Sequence, residues 1–115
     1  MDAKHISTGG KISIYPRTAI KGKTKRVTLH TRVINGEEIA VRGEIKIKIT
    51  GPKRLSDIIV KKISINPGVT LNRYFPYALA GKQLGRYKVD TRFYFDGEYV
   101  KSETTKVDFF DYKSE

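Results

Sequence analysis

Arg86-Tyr87-Lys88-Val89-Asp90-Thr91-Arg92-Phe93-Tyr94-Phe95 alternates without a break. Tyr87, Val89, Thr91, Phe93 and Phe95 fall on one side, and Arg86, Lys88, Asp90, Arg92 and Tyr94 on the other. A period of two is the signature of a half-buried β-strand, because successive side chains point to opposite faces of a pleated chain. Asp96-Gly97 follows at once. That dipeptide favours a two-residue hairpin turn, so the chain is expected to fold back after residue 96. One strand with one wet face and one dry face needs a second apolar layer to cover it.

Working outward, the same pattern recurs. Val27, Leu29, Thr31 and Val33 alternate with Arg26, Thr28, His30 and Arg32. Ile45, Ile47 and Ile49 alternate with Lys46 and Lys48. Turn formers punctuate the chain at short intervals: Gly9-Gly10, Pro16, Gly22, Asn35-Gly36, Gly51-Pro52, Pro67-Gly68, Gly81, Gly85 and Asp96-Gly97. Regular punctuation between short β-rich segments points to a sandwich or barrel. Seven strands are predicted, at residues 11–15, 25–34, 43–50, 57–65, 69–75, 86–95 and 98–110. Inward positions include Ile12 and Ile14 in the first and Val69, Leu71 and Phe75 in the fifth. The fourth is less regular, with two short pieces meeting at Lys61-Lys62. In the seventh, Val100 is inward by pairing with Phe93. Val107 and Phe109 have the opposite parity, and a bulge near 102–105 would bring them inward. Residues 76–85 hold the Ala and Leu of a single helical turn.

Composition agrees with an all-β chain. Thirteen Ile and eight Val outnumber five Leu, with seven Tyr and five Phe beside them. Branched and aromatic side chains suit a pleated surface. The 115 residues are the size of one domain. The expected organisation is a flexible segment at 1–10, one sandwich at 11–110 and a frayed tail at 111–115. There is no cysteine, which removes disulfide frameworks and Cys-based zinc or redox chemistry. The longest aliphatic run is Ile58, Ile59, Val60, far short of a membrane-spanning helix. The first eleven residues lack the apolar stretch of a signal peptide. Two placements follow: a cytosolic protein, or a domain belonging to a longer chain. One Met, one Gln and three Asn beside abundant Lys, Arg and Ile lean toward a thermophilic source.

Three segments carry a resemblance. The first runs from Asn35-Gly36 into Gly43-Glu44-Ile45-Lys46-Ile47-Lys48-Ile49-Thr50-Gly51-Pro52. The second is Leu84-Gly85-Arg86-Tyr87-Lys88-Val89. The third is Phe95-Asp96-Gly97 with the strand ending Val107-Asp108-Phe109. Together they resemble the immunoglobulin-like modules of bacterial and archaeal surface proteins, of the fibronectin-type and macroglobulin-like kinds. The resemblance implies a seven-stranded antiparallel sandwich. It makes Tyr87 the residue of a tyrosine corner, its hydroxyl bonded to upstream backbone. Val89 stands where antibody domains carry a cysteine. It also implies a non-catalytic binding, adhesion or spacer module at the cell surface or secreted, with a protein or glycan partner.

The charge offers a different reading. Lys and Arg number 23 against 12 acids, a net +11. Residues 3–36 hold eight basic residues and no acid, and residues 58–89 hold six and none. Such a field attracts polyanions, nucleic acid among them. In an immunoglobulin-like sandwich the third, sixth and seventh predicted strands share a sheet. Lys46, Lys48, Arg86, Lys88, Arg92 and Tyr94 would then form one basic outer face with an aromatic on it, a candidate polyanion site. Asp90 interrupts it. The competing readings are a solvated lysine-rich surface and basic strands that discourage aggregation.

No motif for catalysis, a cofactor or a metal stands out. Lys21-Gly22-Lys23-Thr24-Lys25-Arg26 contains Gly-Lys-Thr but lacks the first glycine of a phosphate-binding loop, and no helix is expected after it. It reads as a turn. His5 and His30 are far apart with no acid near either. Asp96, Glu98 and Glu103 lack the dense Asp/Asn spacing of a calcium loop. Tyr74, Phe75 and Tyr77 around Pro76 read as a cap on one end of the core, with a ligand groove or partner patch as the alternative.

Overall fold

A computed structural model describes residues 9–96 and 101–115. Among them lie eight strands and no α-helix. They are β1 (Gly9–Tyr15), β2 (Thr18–Ile20), β3 (Arg26–Ile34), β4 (Val41–Gly51), β5 (Leu55–Ile65), β6 (Thr70–Ala78), β7 (Gly85–Asp96) and β8 (Lys101–Lys113). A short 3-10 turn, Pro52–Arg54, joins β4 to β5. Two sheets form, one in the order β1-β3-β6 and the other β2-β8-β7-β4-β5.

The alternating strands fold as their patterns dictate. Val27, Leu29, Thr31 and Val33 of β3 are buried, as are Ile45, Ile47 and Ile49 of β4. The dry face of β7 supplies Tyr87, Val89, Thr91, Phe93 and Phe95. These residues fill the space between the two sheets, and no other apolar layer is needed.

The structure departs from the expected strands at particular places. There are eight strands rather than seven, because the first crosses between sheets. After Tyr15 and Pro16 the chain leaves β3. Beyond Arg17, Thr18, Ala19 and Ile20 pair with β8, and that pairing is parallel where the other strand pairs of the described residues are antiparallel. A three-residue strand carries too little alternation to read. β5 is one unbroken ladder from Leu55 opposite Gly51 to Ile65 opposite Val41, with no division at Lys61-Lys62. Val69 lies before β6 and is exposed. No helical turn forms in 76–85: β6 runs to Ala78, and Lys82 N–H closes a turn on the Leu79 carbonyl.

The largest correction concerns β8. Its register against β7 is constant from Asp96↔Lys101 to Gly85↔Tyr112, so no bulge exists among the paired residues. Phe93 stands opposite Thr104, and Asp96 is paired in the strand rather than placed in a two-residue turn. Gly97 and Val100 lie outside the described residues. With this register Val107 and Phe109 face outward, while Phe110 and Tyr112 enter the core. The strand therefore continues into the expected frayed tail as far as Lys113, held by β7 on one side and β2 on the other.

Two positions test the packing. Gly51 faces inward beside Tyr87, and a Cβ there would sit 2.4 Å from the Tyr87 Cε2. That ring is buried and stacked on Phe110, with centroids 4.9 Å apart, so it has nowhere to move. Gly51→Ala should destabilise the fold by about 1–3 kcal/mol, the usual cost of overpacking. The Thr91 hydroxyl is buried with no hydrogen-bond partner. Thr91→Val removes that orphan at equal volume and should stabilise by about 1 kcal/mol or more. Urea denaturation of both variants checks the two opposite signs.

Candidate binding faces

Each sheet turns one face to the core and one to water. The outer face of the five-stranded sheet carries the residues singled out by sequence. Lys46 and Lys48 come from β4, and Arg86, Lys88, Arg92 and Tyr94 from β7. The register sets Lys46 beside Arg92 and Glu44 beside Tyr94. All six share one face, and all but half-buried Tyr94 are exposed.

The same face is crowded with acids. Glu44, Asp90, Asp96, Glu103 and Asp111 interleave with the bases, since they occupy outward positions of β4, β7 and β8. Arg92 Nε lies 3.1 Å from Glu103 Oε1. Lys48 stands opposite Asp90. Arg86 covers the outward ring of Phe109, its guanidinium 4.7 Å from the centroid. This surface is a mixed-charge sheet, and its positive groups already have neighbours.

The three-stranded sheet differs. β1, β3 and β6 all derive from the two acid-free stretches, so their outer face holds no carboxylate. Its outward residues run in rows across the strands. Lys11, Arg32 and Asn72 form one row, Ser13, His30 and Tyr74 the next, then Tyr15, Thr28 and Pro76. Tyr15 is 81% exposed and Tyr74 63%. The imidazole of His30 stacks on Tyr74, centroids 4.5 Å apart and planes 7° from parallel. His30 Nε2 is 2.8 Å from Asn72 Oδ1, which only accepts, so Nε2–H donates. Nothing near His30 in sequence marks this arrangement, because its partners come from strands 17 and 42 residues away.

The aromatic cluster around Pro76 is divided by the pleat. Tyr74 points outward, Phe75 is half-buried and Tyr77 is buried. Tyr77 joins the two sheets at an open edge: its hydroxyl donates to Asp57 Oδ2 of β5 at 2.5 Å. Lys82 adds its ammonium 3.7 Å from the same carboxylate and 5.2 Å from the Tyr77 ring centroid. Tyr87, fully buried, donates its hydroxyl to the Gln83 carbonyl, four residues upstream, at 2.6 Å. The Gly-Lys-Thr segment is a turn that leads into β3. Lys23 N–H and Thr24 N–H both bond the Ile20 carbonyl, and Thr24 Oγ1 accepts from Ile20 N–H. His5 lies outside the described residues. Among the described residues no group of three His, Asp or Glu converges as metal ligands would, and no helix is long and apolar enough to cross a membrane.

No known protein family matches the chain, and no curated protein does. Among solved structures, the crystal structure of Bacteroides uniformis beta-glucuronidase is similar, with a TM-score of 0.51 and 18% sequence identity. The match covers 89% of this chain and 13% of that one. The likeness is one of β-sandwich fold, limited to a small portion of a much longer protein.

Burial, reinforced by the hydrogen bond to Asp57 and its negative charge, holds the Tyr77 phenol well above its ordinary range. Burial likewise raises Tyr87, with Tyr112 adding to it. The unfolded chain ionises these phenols near pH 10, where the folded protein keeps them neutral. Their contribution to stability is full below about pH 10 and is lost as pH rises above it. Tyr77→Phe should therefore make the decline in stability between about pH 9 and 11 shallower, as urea midpoints across that range will show.

Proposed function

We propose that this chain is a non-catalytic immunoglobulin-like module for interaction or spacing within a cell-surface or secreted protein, with a protein or glycan partner. The observation that carries this reading is the division of eight strands into sheets of three and five around one core, extended along one axis. The molecule measures 56 × 23 × 18 Å with a radius of gyration of 16.0 Å, against about 13 Å for a compact domain of this length. Strands of 11 to 13 residues, roughly 36–43 Å at the usual rise, account for most of that length. A rod of paired strands holds its two ends apart and presents broad faces. The Tyr87–Gln83 bond supports the immunoglobulin-like assignment, since it ties the start of β7 to the loop before it as a tyrosine corner does. The similarity to a small portion of a much longer chain supports a module that sits within longer chains. β5, an edge strand bearing exposed Ile58 and Val60, is suited to strand addition by a partner.

A second reading, binding of a polyanion, is favoured by the acid-free face of the three-stranded sheet rather than by the mixed face that carries Lys46, Lys48, Arg86, Lys88, Arg92 and Tyr94.

The module reading is tested by labelling intact cells with a membrane-impermeant amine reagent, then identifying the lysines modified. A modified polypeptide longer than 115 residues, labelled before lysis, is the expected result. A 115-residue chain labelled only after lysis would overturn it.

A further inference from the structure

We infer that the outer face of the three-stranded sheet binds single-stranded nucleic acid, stacking a base on Tyr74 and holding phosphates with Lys11, Arg32 and Arg26. The inference rests on the module reading only in treating a sheet face as a contact surface. It names a partner that reading does not.

Charge is the first argument. Lys11, Arg26 and Arg32 are exposed on a face built from three strands without an acidic residue. Among the described residues none of the three has an ion-pair partner. On the five-stranded face, by contrast, Arg92 is paired with Glu103 and Lys48 faces Asp90. A polyanion meeting the three-stranded face encounters attraction without repulsion, and its cations need not break existing pairs first.

Geometry is the second. His30 and Tyr74 occupy neighbouring strands in one row, and their rings stack side by side across the strands. β6 is the edge of its sheet, so the Tyr74 ring has His30 on one side and no strand on the other. A planar base continues the stack on that open side. The stack is braced from behind, since His30 is tied to Asn72 and lies 3.4 Å from the Ser13 hydroxyl. A ring held in place before binding loses little freedom when a base settles on it. Tyr15 offers a second exposed ring on the far edge of the sheet.

The rows place charge on both sides of the stack. Arg32 and Lys11 are directly opposite each other, one row along from His30, and Arg26 lies two rows the other way. From Arg26 to Arg32 is six residues of β3, roughly 20 Å. A strand crossing Tyr74 therefore meets a cation before and after the stacked base. The combination of an aromatic platform with flanking bases is the general means of binding single strands without sequence preference. Acidic glycans would find the charges but have no planar ring to extend the His30–Tyr74 stack, so the parallel geometry favours a nucleobase.

The test is fluorescence anisotropy with a labelled oligothymidylate of about ten nucleotides, within the usual site size for one small β domain, from about 50 to 200 mM salt. Wild-type protein should bind at micromolar concentration or tighter at the low end and lose affinity steeply with salt. Tyr74→Ala should weaken binding by about five- to hundred-fold, the worth of one stacked base, and Tyr74→Phe should restore it. Arg32→Gln should flatten the slope of log affinity against log salt by about 0.7. Lys46→Gln with Lys48→Gln, on the opposite sheet, should change affinity less than Arg32→Gln does. Circular dichroism on each variant separates lost binding from lost fold. Absence of binding near 50 mM salt would overturn the proposal, as would loss through Lys46 and Lys48 but not through Tyr74. So would tighter binding of a sulfated polysaccharide that Tyr74→Ala leaves unchanged. None of these results bears on whether the chain is surface-exposed, which the labelling experiment decides on its own.

Discussion

β7 is hydrogen-bonded on both edges along almost its whole length, and every other side chain on it is buried. This double constraint governs the rest of the molecule. Its register with β4 fixes which residues of β4 face inward, and β4 passes the same parity to β5. Its register with β8 decides which half of β8 is dry. A slip of one residue along β7 would put Tyr87, Phe93 and Phe95 in water and Arg86, Lys88 and Arg92 in the core, so the register is set by a large free-energy gap. The three-stranded sheet then supplies the lid, with Val27, Leu29 and Val33 meeting the rings of β7 across the interior.

Where alternation is strong, the sequence alone defines both strand and face. In β3, β4 and β7 the facing of each alternating residue is legible, because the apolar positions are branched or aromatic and most of the others polar or charged, while the strand ends run up to two residues beyond or short of the expected bounds and buried Val41 lies outside them. β8 is not. Its run Val107-Asp108-Phe109-Phe110-Asp111-Tyr112 offers apolar residues at both parities, and pairing decides between them. Four residues separate the last pair of the β7–β8 hairpin where two were expected. The turn signal Asp96-Gly97 thus gave way to the ladder, which buries Phe110 and Tyr112. Arg86 on the ring of Phe109 helps offset the exposure of that residue. β2 is silent in the sequence for a different reason: three residues pairing in parallel with a strand some ninety positions away leave no local trace.

The candidate site shows the same division between what one strand reveals and what pairing adds. That Lys46, Lys48, Arg86, Lys88, Arg92 and Tyr94 share a face follows from parity and a sandwich order. That acids from β8 also occupy that face depends on the register of β8, which parity alone does not supply. Conversely, the two acid-free stretches of sequence were visible as composition. Only topology shows that β1, β3 and β6 are drawn wholly from them and stand side by side. Net charge is therefore a poor guide to where a polyanion would bind, since most of the positive groups on the five-stranded face are offset locally.

The parallel pairing of β2 with β8 has a mechanical side. β2 lies near the start of the described chain and β8 at its end, and Arg17 grips Asp108 through two contacts of 2.7 and 2.8 Å just beside them. Asp111 N–H and Lys21 N–H close the two ends of the patch on the Arg17 and Lys113 carbonyls. Tension applied through the two termini would slide these parallel strands past each other lengthwise. All the bonds of the patch would then carry load together, where a hairpin pulled from its open end parts one bond at a time. The short strand that breaks the regularity of the fold acts as a shear clasp: under tension between the two ends it would take the load first, and the strands behind it would be shielded until it parted.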